Sequence, residues 1–351
     1  MRKIILLFVL GLIQSLLLSQ EASASCLANS GNERLTNYCL AQVVSEWGAS
    51  PQSALMIDAR LKREGYANGL GFPSRIDKHD LTGFVTPIID YSDNINGGNP
   101  DKPLVLGGLK FTGDPDLIQK AGVLLGARVG FYGRSIVGEG NYIDHQASVS
   151  YEHAPQHGIG IKRLNASVCS KNHLGGLLYA DLCAVAGRQI KQLSDQKNQT
   201  LNMTMSKIIR IGNSSFNEVK LGALKNYNEG FNQKQIAAGI DTIFANGLFS
   251  SATIRLGEAV SDELALRKAA SLNFGYSVKG KPVSMSLSIS DASGSQMIGV
   301  ARRDITKSID LVYGVTPKVS LSVGYENVDS SIDYFDVKAP KFGIRFSAIK
   351  F

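Results

Sequence analysis

The chain has 351 residues, of which 44% are hydrophobic and 19% charged, and its formal net charge at pH 7 is +7. This length allows one large domain with a small appendage. A basic balance can indicate nucleic-acid binding, but no run of Lys and Arg interleaved with aromatic residues is present, so we expect no nucleic-acid partner.

Residues 1–24 are predicted to be a signal peptide. Arg2 and Lys3 precede the apolar run IILLFVLGLIQSLLL, and small residues at 22–24 offer a cleavage site. An uncleaved membrane anchor is the alternative. No later stretch approaches eighteen apolar residues, so the sequence predicts no transmembrane helix. The mature protein is therefore expected in the cell envelope, outside the cytoplasm.

Residues 25–80 are predicted to form a small helical segment in the periplasm. RLTNYCLAQVVSEW has helical spacing of its apolar residues, and a second helix begins at Ser50 and Pro51 and ends at Gly65. Two positions for this segment stay open. It is either a spacer in the periplasm, which the sequence slightly favours, or a piece that enters or caps another structure.

The four cysteines lie in a chain that is exported, where disulfides can form. Two local bridges, Cys26 with Cys39 and Cys169 with Cys183, are the simplest pairing of the three that four cysteines allow. Cys169 and Cys183 are not expected to lie directly opposite each other if the turn between them is short. No spacing typical of a zinc site is present, and no metal or other cofactor is predicted.

From residue 83 to residue 351 the sequence is a series of alternating segments. SMSLSIS, residues 284–290, is the clearest, with apolar residues on one face and serines on the other. Such segments are about ten residues or longer, the length that a tilted strand needs to cross a bilayer. The predicted fold is all-β, a transmembrane antiparallel up-and-down β-barrel of about fourteen strands (range twelve to sixteen).

The strand count of fourteen takes residues 104–112 as the first strand. GFVTPIIDY, residues 83–91, is a fifteenth candidate that Pro87 weakens. Connections alternate in length: TPK, VKGKP, NGL and GNSS are short, whereas NVDSSIDYFDVKAP, DASGSQMIGVARRD, EAVSDELAL and KQLSDQKNQT are long. This alternation is typical of outer-membrane barrels and places the short turns and both termini in the periplasm.

The chain ends with KFGIRFSAIKF, an alternating aromatic segment that would be an exposed edge in water. We expect it to pair with the first strand and close the barrel. The segment resembles the recognition signal of bacterial outer-membrane barrels, which implies the barrel-assembly machinery as a partner. The residues that fit this signal are Lys341, Gly343, Phe346, Ala348 and Phe351.

Successive side chains of a strand point to opposite faces, so odd and even positions, here called its parity, face lipid or the lumen in turn. Charged residues belong inside, because an Arg turned toward lipid at the bilayer midplane would cost on the order of 2–4 kcal/mol. Lys207 and Lys268 fall on the lipid parity, which predicts either a position near an interface or a slip in the register. The predicted lumen-lining residues are Arg128, Arg134, Asp144, Arg163, Asp181, Arg210, Asp241, Arg255, Arg267, Asp310, Glu326 and Arg345.

The predicted lumen has two interpretations. Arg side chains can pair with the acids in a salt-bridged interior that stiffens the barrel, or a surplus of Arg can favour anions in a channel. No enzyme motif such as GxSxG or HExxH is present. Asp144 and His145 lie on opposite faces of one strand and cannot act together, so no enzyme is expected.

YSDNINGG, residues 91–98, resembles the motif at the start of the barrel in surface lipoprotein assembly modifiers, through Asp93, Asn94 and Asn96. FTGDPDLIQKAGVLLGARVGFYGR then resembles the opening hairpin of that barrel. The resemblance implies a fourteen-stranded barrel, which we expect to be a monomer surrounded by outer-membrane lipid. It also implies that the protein assists the translocation or surface display of an exported lipoprotein client. The alternative is a porin-like passive channel for small, preferentially anionic solutes.

Overall fold

The structure, a computed structural model, describes residues 26, 31–47, 51–66, 79–106, 108–212, 215–244 and 246–351. The predicted signal peptide, residues 1–24, lies outside the described residues. Among the described residues, no helix has the length and apolar character needed to span a membrane.

Seventeen strands are described, and fourteen of them form a closed antiparallel barrel. The short strands β2 and β3 pair only with each other, and β17 continues the pairing of the last long strand. In chain order they are β1 (His79–Ser92), β2 (Leu104–Leu106), β3 (Leu109–Phe111), β4 (Gly122–Gly138), β5 (Asn141–Ala154), β6 (Ile159–Gly175), β7 (Leu178–Ile190), β8 (Asp195–Ile211), β9 (Ser215–Asn228), β10 (Phe231–Phe244), β11 (Phe249–Gly257), β12 (Ala265–Val278), β13 (Lys281–Met297), β14 (Val300–Thr316), β15 (Val319–Ser330), β16 (Val337–Phe346) and β17 (Ile349–Lys350).

The first and last strands close the barrel, as predicted. β1 pairs with β4 on one side, and on the other side Ile88 lies opposite Arg345 of β16. Beyond a break between β16 and β17, the backbone N–H groups of Gly83 and Phe351 each donate to the carbonyl of the other at 3.0 Å. A closed sheet has no unpaired edge, which explains how an aromatic strand can end the chain.

The count of fourteen strands is confirmed, but the assignment of the first one was wrong. Residues 104–112 contain the small β2–β3 hairpin within the long first connection, and GFVTPIIDY lies in β1. Pro87 is tolerated there because it faces the break between β16 and β17, where no register pair is present. A proline without an N–H group therefore costs no ladder hydrogen bond.

The turns predicted to be short are short, but most segments predicted to be long loops continue the strands. The connection between β7 and β8 is only residues 191–194, and that between β13 and β14 is residues 298–299. Their polar residues also alternate and pair across the sheet, so β8, β13 and β14 each reach 17 residues. The connection between β15 and β16 retains a short 3-10 helix, η2 (Asp333–Phe335), and the first connection contains η1 (Pro115–Leu117).

The outer surface of the barrel is an apolar band. Leu221, Ile236 and Leu182 are 65%, 61% and 58% exposed, because no described residue covers the outward-facing side chains. On β8, Lys197 and Lys207 bracket the outward Leu201, Met203 and Met205, and they are ten residues apart (207 − 197). At about 3.3 Å per residue and a tilt of about 40°, this is about 25 Å, the height of the apolar band of an outer-membrane barrel.

This outer surface identifies a bacterial outer-membrane barrel. Lys207 lies at one edge of the apolar band, so its outward parity reflects a position near the interface rather than a slip in the register. Lys268 lies at the other edge, four residues into β12 and next to the connection between β11 and β12. Long cationic side chains at these depths reach the headgroup region.

Two helices, α1 (Glu33–Trp47) and α2 (Pro51–Arg63), form where the sequence predicts them. They lie inside the barrel at the short-turn end, where Leu35, Cys39 and Ile57 are buried against inward-facing barrel residues. The interpretation of this segment as a spacer in the periplasm was therefore wrong, and it enters the barrel. Two short helices cannot bury their apolar faces against each other alone, so these faces pack against the barrel wall.

Candidate functional site

The lumen is the candidate functional site, and it has two unlike walls. We call the inward faces of β4–β10 the charged wall, because most of the buried ion pairs lie there. We call the inward faces of β11–β15 the serine wall, because their inward positions are mostly small and hydroxylated. These positions include Ser251, Thr253, Ser271, Ser284, Ser286, Ser288, Ser290, Ser308, Ser320 and Ser322.

Ion pairs join the helical segment to the charged wall. Arg34 Nη2 lies 2.9 Å from Asp181 Oδ1, and the guanidinium is stacked 4.3 Å from the centroid of the Tyr179 ring. Glu33 Oε2 lies 2.9 Å from Arg134 Nη2, whose Nε donates to Asp144 at 2.6 Å. Because Arg34, Asp181 and Arg134 are largely buried in these pairs, the segment cannot leave without exposing several charges at once.

Asn32 connects the start of α1 to the far side of the same wall. Its Oδ1 accepts from the backbone N–H of Leu35 at 3.0 Å, which caps the helix. Its Nδ2 donates to Asp241 Oδ2 at 2.7 Å and to the carboxylate of Glu218. Lys220 pairs with both of these acids. The N-terminus of α1 is thereby fixed against β9 and β10.

Apolar packing adds to these contacts. The buried helical residues meet Ile208, Phe216, Ile243 and Phe249 near the short turns, and the rings of Tyr38 and Phe216 are edge to face with centroids 5.9 Å apart. All four barrel residues are buried. Burial of this kind contributes roughly 1.5–3 kcal/mol for each large side chain.

Both predicted disulfides are present. Cys26 is bonded to Cys39 of α1, and Cys169 is bonded to Cys183 across β6 and β7. The expectation that the second pair cannot lie directly opposite was wrong. β6 continues to Gly175 and β7 begins at Leu178, so the two cysteines are register partners on either side of a short turn.

Glu64, just after α2, is a buried ionisable group of the docked segment. Its side chain is nearly fully buried and accepts a hydrogen bond from Asn37 Nδ2 at 2.7 Å. Burial raises the pKa of Glu64 to about 7, and the negative charge of Glu33 adds to the increase. The Glu64 carbonyl accepts from Gly140 N–H at 2.9 Å, which ties the segment to the β4–β5 turn.

The predicted lumen-lining residues fall into three groups. Arg134, Asp144, Asp181 and Asp241 contact the helical segment, as described above. Arg163 pairs with Glu152 and donates to Gln189 at 2.8 Å, while Glu326 pairs with Lys341 at 2.7 Å. The remaining residues are Arg128, Arg210, Arg255, Arg267, Asp310 and Arg345.

The remaining residues are not alike. Arg128, Arg255, Asp310 and Arg345 form no ion pair with another described residue, whereas Arg210 is stacked on Phe216 at 5.6 Å. Arg267 is the extra residue of a bulge between Leu266 and Lys268, so strand parity does not assign its face.

Several charged residues that face the lumen were not predicted from the sequence. Glu152, Lys171, Glu218 and Lys220 share the parity of Ser150, Arg163, Phe216 and other inward residues on their strands, so the alternation itself could have found them. Two are acids and two are lysines, so they add no net charge, and they pair with predicted residues: Glu152 with Arg163, Lys171 with Asp181 and Lys220 with Asp241. Much of the charged wall is therefore a salt-bridged interior.

Arg128 and Arg345 line a cavity of about 610 Å³ on the inner side of β1, at some distance from the helices. Arg163 and Lys341 also line it, each beside its own acid, and Asp90 and Asp310 contribute two further carboxylates. The cavity continues onto Ser322 of the serine wall. An anion that enters this part of the lumen meets two guanidinium groups without a paired carboxylate.

The residues of YSDNINGG hold the first connection in place. Asn94 Oδ1 accepts from the N–H groups of Gly97 and Gly98 at 2.8 and 3.0 Å, and Asn96 Nδ2 donates to the Ile118 carbonyl at 2.7 Å. Ile95 is fully buried in a cluster with Leu124 and neighbouring residues. The segment resembling an opening hairpin is instead a loop followed by β4, and the opening hairpin is β1 with β4.

No family model matches the chain, and no curated protein matches it. Solved structures of similar fold include OccAB3 of Acinetobacter baumannii, at 8% identity and a TM-score of 0.40 over 78% of this chain and 100% of that one. OpdK of Pseudomonas aeruginosa with vanillate is 10% identical, with a TM-score of 0.40 over 77% of this chain and 98% of that one. OccK9 (OpdG) of the same species is 7% identical, with a TM-score of 0.40 over 80% of this chain and 100% of that one.

These structures are outer-membrane barrels of fourteen strands. They share with this chain its strand number, and they give no support to the resemblance to surface lipoprotein assembly modifiers. At such low similarity they do not bear on solutes or mechanism, which depend on the side chains of the lumen.

Proposed function

We propose that the protein is a passive outer-membrane channel for small, preferentially anionic solutes, narrowed on one side by its own N-terminal helices. The observation that supports this most directly is the contrast between the two walls. Ion pairs and aromatic contacts hold the helices on the charged wall, whereas the serine wall presents small hydroxyl groups that leave space for water and solute.

The anion preference rests on Arg128 and Arg345. Each lies on the lumen side of a strand next to β1, and neither forms an ion pair with another described residue. Asp90 and Asp310 near the same cavity weaken the local positive potential, so we propose a mild preference rather than strict selectivity. Hydroxyl groups and a guanidinium can replace part of the hydration shell of a carboxylate or phosphate.

Conductance in planar bilayers tests the proposal. We expect steady openings whose reversal potential in a KCl gradient indicates a preference for Cl⁻. The double variant Arg128→Gln/Arg345→Gln should lose that preference while conductance stays within about twofold of the parent. Arg303→Gln/Lys307→Gln removes the same charge from the outer surface and should leave the reversal potential unchanged. A preference for K⁺ in the parent protein would contradict the proposal.

The second candidate is help in translocating or displaying an exported lipoprotein, which the resemblance at Asp93, Asn94 and Asn96 supports. The side chains of Asn94 and Asn96 are occupied by contacts within the first connection, and the N-terminal helices fill part of the barrel. The channel is therefore the better-supported function. If the protein is electrically silent and its deletion removes a lipoprotein from the cell surface, the second candidate is correct.

The proposal is for a monomer that depends on the barrel-assembly machinery for insertion. Every long strand is paired on both sides within one chain, so no sheet edge requires a second copy. The terminal residues Lys341, Gly343, Phe346, Ala348 and Phe351 are the proposed recognition signal. Replacing Phe351 with a charged residue should reduce insertion in cells without preventing refolding in detergent.

A further inference from the structure

Two like charges lie directly opposite each other on the outer surface of the barrel. Arg188 of β7 and Lys197 of β8 are register partners on the outward parity. Like charges in this position destabilise a sheet unless something compensates them. Arg188 has one partner, since its Nε donates to Asp195 Oδ1 at 2.9 Å, but Lys197 forms no ion pair with another described residue.

Further cations surround this pair on the adjoining strands. Lys162 of β6 and Lys225 of β9 also point outward and are exposed. The nearby acids are Asp195 and Glu229, of which Asp195 is held by Arg188. Four cations and two acids leave a formal excess of two positive charges on this part of the outer surface. The excess favours an anion as the missing partner.

The depth of these cations is that of a lipid headgroup. Lys197 marks the edge of the apolar band that ends about 25 Å away at Lys207, as derived above. Arg188 lies directly beside Lys197, at the same depth. At this level the anions available in quantity are the phosphate groups of lipids.

An apolar groove begins directly below the cations. Ala147, Ala166 and Ala186 are register partners on β5, β6 and β7, so three small side chains lie in one row on the lipid-facing surface. Larger neighbours such as Phe131 and Leu164 line the same depression, a cavity of about 550 Å³ that Arg188 and Lys197 bound at its end. A second depression of about 460 Å³ adjoins it.

We propose that this face binds a phosphate-bearing lipid with several acyl chains in the outer leaflet. The phosphate lies between Arg188 and Lys197, and acyl chains occupy the row of alanines and the adjoining depression. The phosphate would neutralise the repulsion between the two cations, and the acyl chains would fill the groove. The proposal depends on the barrel lying in a membrane and is independent of whether the lumen conducts.

Binding can be measured on the full-length protein in phosphatidylcholine nanodiscs that contain a small fraction of bisphosphorylated lipid A. Native mass spectrometry after ejection from the disc counts the lipid A molecules retained. We expect one retained molecule on the parent protein and at least a tenfold loss of occupancy for Arg188→Gln/Lys197→Gln. Dephosphorylated lipid A should be retained no better than phosphatidylcholine.

Two further variants separate the lipid from its alternatives. Arg303→Gln/Lys307→Gln removes two outward cations from β14, where Arg303 likewise pairs with an acid, Asp291, and it should retain lipid A like the parent. Ala166→Leu/Ala186→Leu fills the groove and leaves the cations intact. It should lose lipid A but should bind the same small amount of inorganic phosphate as the parent.

Several outcomes would overturn the proposal. Equal retention by the parent and by Arg188→Gln/Lys197→Gln would show that the cations do not hold the lipid. Equal loss in the β14 control would indicate attraction by surface charge alone. If inorganic phosphate displaces lipid A at millimolar concentration and Ala166→Leu/Ala186→Leu has no effect, the site binds an anion and the groove binds nothing.

Discussion

The charged wall and the serine wall belong to one continuous sheet and have the same backbone geometry, yet the described ion pairs between the helical segment and the barrel all lie on the charged wall. The charged wall offers Asp181, Arg134 and Asp241, each of which has a partner on α1 or at its N-terminus. The serine wall offers hydroxyl groups that bond to each other, as Ser288 and Ser308 do with oxygens 2.7 Å apart. Side-chain chemistry, rather than barrel architecture, therefore decides which half of the lumen is filled.

The largest expected effect comes from removing what the charged wall holds. Deletion of residues 26–66 should raise the single-channel conductance severalfold, because water and ions would then fill both halves of the lumen. The comparison is made in planar bilayers under identical salt.

A gel shift between heated and unheated samples serves as the control that the shortened chain still forms a closed barrel. Unchanged conductance in a correctly folded deletion variant would mean that the helices do not narrow the conducting path.

Filling the serine wall should have a smaller effect in the opposite direction. Ser288→Trp/Ser308→Trp places two indole rings on adjacent inward positions and should reduce conductance by roughly half. Leu287→Trp is the matched control, since residue 287 lies on the outward parity and its ring would meet lipid. Equal conductance of the inward and outward variants would show that the serine wall is not the open side.

The two disulfides sharpen the comparison, because one lies within the docked helical segment and the other lies within the charged wall that holds it. Cys26→Ser/Cys39→Ser should weaken docking of the helical segment by about 3 kcal/mol, because the bridge closes a loop within a short segment that has few other constraints. Cys169→Ser/Cys183→Ser should hardly affect docking, since hydrogen bonds already join β6 and β7 on both sides of the bridge.

The rate at which trypsin cleaves near Lys62 and Arg63 measures how often the segment undocks. If the two double variants are cleaved equally fast, the N-terminal bridge has no special part in docking.

A dependence on pH should be the smallest effect. The pKa of Glu64 is raised to about 7 in the docked state, above its value in water, so the docked state binds the proton more tightly. Docking is therefore strongest at acidic pH and weakens as the pH rises through about 7, by roughly 1 kcal/mol between pH 6 and pH 8, and then levels off. Trypsin cleavage between about pH 6 and pH 8, normalised to a model peptide, measures this change.

Glu64→Gln keeps the size of the side chain and removes its titration. We expect its cleavage to be nearly independent of pH over the same range. A parent protein with the same flat profile would mean that Glu64 does not control docking.

Much of the barrel could be predicted because its elements follow local rules. SMSLSIS lies in β13 with its serines inward, and the two helices begin and end close to the predicted residues. Alternation fails where the sequence is polar on both faces, which is why residues 191–200 were predicted as a loop although β8 begins at Asp195. It also fails at bulges, as for Arg267.

The site was less predictable than the fold. Parity alone places Arg128, Arg134 and Arg345 in the lumen, but it cannot tell which guanidinium groups are paired. Arg134 acquires its second partner, Glu33, from a segment about a hundred residues away, whereas Arg128 acquires none among the described residues. Such pairing depends on which strands become neighbours and on what fills the space between them.

The sequence by itself determined the long alternating strands, their two faces and the apolar terminal strand, because each of these follows from the period of two in an extended chain. Only the tertiary structure decided that residues 79–92 open the barrel, that the helices lie within it, and that Arg188 faces Lys197 outside it. These features are set by register between strands and by the filling of an enclosed volume, and both bring together residues that are distant in the chain.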